Sequence, residues 1–220
     1  ATYLWRQEVE IAAGRDTLLE LTASNAEVTP VDAVSGGTPG AIPDDPSVSL
    51  ARWHDSVFAL WTPTHRLSGF LADPRGLIVT NGRGVGTASS VEVQVTPAIK
   101  LAARVLLSDP ARDVAVIWID PKAAGSVASA VPLECDGAGT SRLKEGQKAF
   151  ALSAPVGAEK STADGTVREI AGRVVETDFI LRTGGAGGPV FGGDGKVIGI
   201  GAFSDGDDGR DSAETRLTRV

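Results

Sequence analysis

The sequence predicts an all-β fold, an antiparallel barrel or sandwich. Three observations carry this. Short runs of alternating or wholly apolar residues recur along the chain, each bounded by turn residues. Among its 220 residues stand 27 glycines and 12 prolines, with little sustained helical periodicity between them. The chain is 42% hydrophobic and 22% charged, enough apolar material for a sizeable core.

The elements follow in order. Residues 8–11 and 19–22 alternate apolar and polar, joined by Ala-Gly-Arg-Asp at 13–16, a hairpin signal. A lone hairpin is marginal in water, so residues 1–28 are expected to end a preceding β domain or to form an added ribbon, with Trp5 anchoring it. Residues 29–47 carry prolines and glycines too densely for helix or ladder and read as a linker or extended arm. Strands are expected over 56–61, 77–80, 91–95, 103–107 and 114–119, the last apolar on both faces as a core strand would be. Residues 121–131 are an Ala-, Ser- and Gly-rich crossover. Further strands are expected over 148–152, 166–170, 172–177 and 197–200, before a polar, acidic tail.

Charge and composition exclude several roles. A formal net charge of -7 repels nucleic acid and anionic membrane surfaces. No stretch reaches the length of a membrane span, and no signal-peptide pattern opens the chain. The single cysteine, Cys135, leaves no internal disulfide. No residue pattern asks for a metal or cofactor. The aspartates at 205, 207, 208 and 211 do not have the spacing of a calcium loop. Without a methionine, Ala1 is not an ordinary start, and the chain reads as cut from something longer.

The most informative stretch is 177–190, Thr-Asp-Phe-Ile-Leu-Arg-Thr-Gly-Gly-Ala-Gly-Gly-Pro-Val. Four glycines around one small residue make a tight turn whose N–H groups can converge on one point, the geometry of an oxyanion hole. This stretch resembles the nucleophile loop of trypsin-like serine proteases, most closely the HtrA (DegP) branch, which Thr177-Asp178 also matches. Four other segments fit in order: Ser-Gly-Phe at 68–70 with Gly-Leu-Ile-Val-Thr-Asn at 76–81, then 108–120, 143–152 and 194–200. The resemblance implies a double antiparallel β-barrel over 48–205, with one barrel over 48–120 and the other over 131–205. It leaves 206–220 as the tail.

It also implies where a catalytic triad should stand. The nucleophile position is Ala186, whose methyl cannot attack a carbonyl. The base position is Arg83, in Thr-Asn-Gly-Arg; arginine keeps its proton and cannot act as a base near neutrality. Only the acid partner, Asp113, is present. Losing nucleophile or base costs such a triad on the order of a millionfold in turnover. The expectation is a non-catalytic pseudoprotease domain that binds protein or extended peptide, or scaffolds neighbouring domains of a longer chain. The alternative is an HtrA-type serine endopeptidase with an engineered or rearranged site; an engineered serine-to-alanine change accounts for Ala186 but not for Arg83. His54 and His65 are the only imidazoles, both read as turn or surface residues, as Ser68, Ser108 and Thr183 are read as turn and cap residues.

Three further expectations concern the cleft. Gly184, Gly185 and Ala186 would form a vestigial oxyanion hole. Gly199, Ile200, Gly201 and Ala202 would offer a strand edge to a peptide, with Ile180 and its neighbours lining the primary pocket. Arg83 either pairs with Asp113 as a bidentate ion pair or swings into solvent.

Overall fold

The structure, a computed structural model, describes residues 2–4, 27–29, 46–96, 98–122, 129–133, 143–154, 160–202 and 215–218. The chain divides into two compact units, Ala1–Ala41 and Ile42–Val220. In the first, β1 (Thr2–Leu4) pairs antiparallel with β2 (Glu27–Thr29), Thr2 opposite Thr29. The hairpin expected over 8–22 and residues 30–45 of the expected linker lie outside the described residues.

The second unit opens on α1 (Pro46–Trp53), whose first two residues overlap the linker expected over 29–47. Pro46 suits a helix start, where its missing N–H costs nothing. A single 3-10 turn (His54–Ser56) leads into β3 (Val57–Trp61). There follow β4 (Arg66–Asp73), β5 (Leu77–Thr80), the short α2 (Gly82–Val85), β6 (Ser90–Thr96), β7 (Ile99–Asp109) and β8 (Val114–Trp118). These strands close as a barrel in the order β3-β4-β5-β8-β7-β6. A second barrel closes from β9 (Lys148–Ser153), β10 (Ser161–Ala171), β11 (Val174–Thr177), β12 (Pro189–Gly192), β13 (Val197–Gly201) and β14 (Thr215–Thr218). The double antiparallel barrel is thus the fold of this unit.

Two strands lay hidden in the sequence, and a third lay in the segment read as tail. In β4, Ser68 and Gly69 interrupt the alternation, yet both belong inside: an added Cβ at Gly69 would stand 2.7 Å from Leu60 and 3.0 Å from Ile78. In β12, Pro189 begins the strand, where a missing donor is tolerated. The segment 206–220, expected as an acidic tail outside the domain, supplies β14, which pairs with β11 and with Ile200 and Gly201 of β13. Its Thr-Arg-Leu-Thr is only four residues long, and what makes it a strand is the pair of ladders it completes, not its own pattern.

The core has three parts. Inward residues of the first barrel, among them Leu60, Leu67, Ile78, Val93 and Ile117, are wholly buried around its axis. Val175, Val190 and Ala149 do the same for the second. Between the barrels lie Trp53, Phe70, Val79, Leu152, Phe191 and Ile200, and burying each large side chain contributes about 2–3 kcal/mol. Val131, at the end of the crossover, is buried in this seam and donates its N–H to Leu71 O at 2.8 Å.

Candidate functional site

On the first-barrel side the site hangs from the end of β5. Thr80 is fully buried, and its hydroxyl donates to Ser68 O at 2.6 Å. Asn81, also fully buried, caps α2: its Oδ1 accepts from the Gly84 N–H at 2.9 Å. The Asn81 Nδ2 donates to Asp113 Oδ2 at 2.7 Å, and the backbone N–H of Arg83 donates to Asp113 Oδ1 at 2.9 Å. Asp113 sits in the turn between β7 and β8 at φ 58, a conformation that short polar residues tolerate and β-branched ones resist. It is only 7% exposed. Ser108, at the end of β7, donates to Gly86 O at 2.9 Å and so tethers the far end of α2.

Arg83 is the one residue of α2 that faces solvent; Gly82, Gly84 and Val85 are buried. Among the described residues its guanidinium forms no ion pair, and the pairing with Asp113 considered above is not made. The contact with Asp113 runs through the Arg83 main chain instead. The buried carboxylate therefore organises the backbone of α2, and the cation points away.

The glycine loop is held from both sides. Ser68 N–H donates to Ala186 O at 2.7 Å, and Ser68 Oγ donates to Gly184 O at 2.8 Å while accepting from the Ala154 N–H at 3.0 Å. From the second barrel, Gly187 N–H donates to Gly201 O at 2.8 Å and Gly201 N–H to Gly188 O at 3.0 Å. Gly187 has φ +87, and a Cβ there would collide with Ser68 O and Thr80 Oγ1 and lie 2.9 Å from Asn81 N. No other residue type fits that place. Ala186 is 7% exposed and belongs to the first-barrel core cluster.

Within the loop, Gly185 N–H donates to Arg182 O at 2.7 Å and Gly188 N–H to Gly185 O at 3.2 Å. The N–H groups of Gly184 and Ala186 take no partner among the described residues. These are two of the three residues expected to form the vestigial oxyanion hole.

Around the loop the structure redistributes the expected roles. Ser68, read as a turn residue, is a buried bridge in mid-strand, and its signal in the sequence was only a polar residue where β4 should be apolar. Ile180 is 45% exposed, whereas Leu181 is half-buried, its Cδ1 only 2.6 Å from a Cβ placed on Gly201. Leu181, missed in the sequence, is therefore the side chain beside the loop. Of the residues expected to offer a strand edge, Gly199 and Ile200 stand opposite Val190 and Pro189 of β12, Ile200 and Gly201 pair with β14, and Gly201 exchanges main-chain hydrogen bonds with Gly187 and Gly188 of the loop. Asp178 accepts from the Thr166 N–H at 2.6 Å and from Thr166 Oγ1 at 2.8 Å, which holds its carboxyl below the usual carboxylate range and ties the loop's approach to β10. His54 contacts its neighbour Asp55, and His65 contacts Thr64, each in its own turn.

Ser68 offers a direct test of this scaffold. Ser68→Ala leaves Gly184 O and Ala154 N–H without their shared partner, and is expected to cost about 2 kcal/mol by denaturant melt. A loss under about 0.5 kcal/mol would mean the loop is not anchored there.

Comparison with known proteins decides the family, for residues 67–200 match the trypsin-like peptidase domain. The chain belongs to that family. Its sequence relatives lie in the HtrA (DegP) branch. A probable periplasmic serine endoprotease DegP-like of Pseudomonas putida (strain W619) is 29% identical over 142 residues, 60% of this chain and 28% of the relative. The putative serine protease HhoA of Synechocystis is 32% identical over 146 residues, 60% of this chain and 35% of the relative. The chain thus spans about a third of the length of these relatives. Among solved structures, a serine endoprotease from Yersinia pestis superposes with TM-score 0.64 at 20% identity, over 81% of this chain and 63% of that one. The HtrA-type protease AlgW with a tripeptide superposes with TM-score 0.63 at 21% identity, over 80% and 60%. The superpositions establish the shared fold of this HtrA-type protease domain.

Proposed function

We propose that this HtrA-type domain is catalytically silent and holds an extended peptide or protein segment in the former substrate cleft. The observation that carries the proposal is Ala186 in a loop otherwise built like a nucleophile loop, with Arg83 at the base position and Asp113 turned to backbone support. A scaffold that keeps its strained glycines and buried anchors while the two reacting groups are inert has kept shape and lost chemistry. The segment would pair by strand addition beside Ala202, with affinity from main-chain hydrogen bonds. Selectivity would come from the apolar surface of Leu181 and Ile180.

Two measurements test it together. The purified chain is expected to release no casein fragments above buffer and to bind a labelled random peptide pool saturably. Ala202→Trp, which blocks the proposed edge at a half-buried position, is expected to weaken that binding at unchanged thermal stability. Casein cleavage that co-purifies with the chain and survives Arg83→Ala would overturn the silent reading, and unsaturable binding would overturn the peptide-holding one.

A further inference from the structure

The cleft's donors are of two kinds, and one ligand chemistry satisfies both. Gly184 and Ala186 are buried, and their N–H groups lack a partner among the described residues although those of Gly185, Gly187 and Gly188 are all used. Buried backbone donors are almost always satisfied, so a pair left over in one loop marks a place for an outside acceptor. Arg83 brings the second kind. Its main chain is fixed to Asp113, α2 buries every neighbour but itself, and its guanidinium forms no ion pair among the described residues. The loop and this corner of the first barrel are in contact, since a Cβ on Gly187 would lie 2.9 Å from Asn81 N, two residues before Arg83. Ala186 carries no hydroxyl that could compete for the N–H groups.

A neutral peptide carbonyl would suit the two N–H groups but leave the cation unanswered. A carboxylate suits both, one oxygen to the N–H pair and the other to the guanidinium. Resting on the peptide-holding reading above, we propose that this site takes the C-terminal carboxylate of a peptide. The chain end would stop at the glycine loop and the preceding residues would lie beside Ala202. Leu181, against Gly201 and beside the loop, makes an apolar last side chain the fitting one.

The test compares two labelled octapeptide pools, random except for a terminal leucine, one with a free C-terminal acid and the other amidated. By fluorescence anisotropy the acid pool is expected to bind about tenfold or more tightly than the amide pool, the size of one charge-assisted bond. In Arg83→Leu the two pools are expected to bind alike, and in Arg83→Lys part of the preference should return. Arg83 is exposed, so both variants should melt like the parent. Equal binding of acid and amide by the unmodified chain overturns the carboxylate site and leaves peptide holding intact. A third pool, amidated but carrying an internal glutamate and matching the acid pool, would assign the site to side-chain carboxylates and equally overturn the chain-end proposal. Binding of no pool fails both readings.

Discussion

Asp113→Ala is expected to cost the domain about 3–5 kcal/mol, and adding Arg83→Leu is expected to recover none of it. The cost has three sources. The Asn81 amide loses its 2.7 Å acceptor in a fully buried position, and the Arg83 N–H loses its 2.9 Å acceptor. Each buried donor left unpaired costs roughly 1–3 kcal/mol. Alanine must also hold φ 58, which costs an L side chain about 1–2 kcal/mol. If a guanidinium–carboxylate pair were the reason for the aspartate, removing the arginine as well would relieve an unpaired buried cation and restore stability. The Arg83 side chain is already in solvent, so nothing is relieved. Asp113→Asn keeps the tolerance for positive φ but offers one acceptor oxygen instead of two, and should lose about half as much. Chemical denaturation of the four proteins decides this; recovery in the double variant would return Arg83 to the carboxylate.

How much of this was legible beforehand depends on where the determining contacts lie in the chain. The glycine loop was readable because its geometry needs glycines at fixed places, and Gly187 shows why, with Ser68 O and Thr80 Oγ1 where a Cβ would go. Strands such as β5 and β8 were readable because their own residues alternate or are apolar throughout. What escaped was structure made by partners far away. Ser68 looks like a turn residue until Gly184, 116 positions later, lies against it. β14 looks like tail until β11 and β13 supply both its ladders. Leu181 and Ile180 are adjacent aliphatics, and only the fold determines which one turns toward Gly201. The direction of the Arg83 side chain was open for the same reason, since Asp113 already had two donors closer at hand.

If the domain is silent as proposed, the unmodified chain takes no label from fluorophosphonate probes, and Ala186→Ser combined with Arg83→His is expected to be labelled while neither single change is. Serine supplies the nucleophile and histidine the base, and a triad lacking either loses on the order of a millionfold. The gain in labelling rate should therefore exceed roughly a thousandfold even if the restored geometry is imperfect. Two features favour it. The loop's N–H groups at 184 and 186 take no acceptor among the described residues, so an oxyanion would find both. A histidine at position 83 would stand beside Asp113, whose Oδ1 already accepts the main-chain N–H of that residue at 2.9 Å. One feature opposes it. Leu181 stands against Gly201 beside the loop and limits the size of the side chain that fits there, so a small phosphonate enters more readily than a bulky substrate residue. Labelling without casein cleavage in the double variant would place the remaining barrier at Leu181, and Leu181→Ala in that background should then raise cleavage. A double variant that melts like the parent and still reacts with nothing would mean that positions 83 and 186 are not what governs reactivity in this cleft.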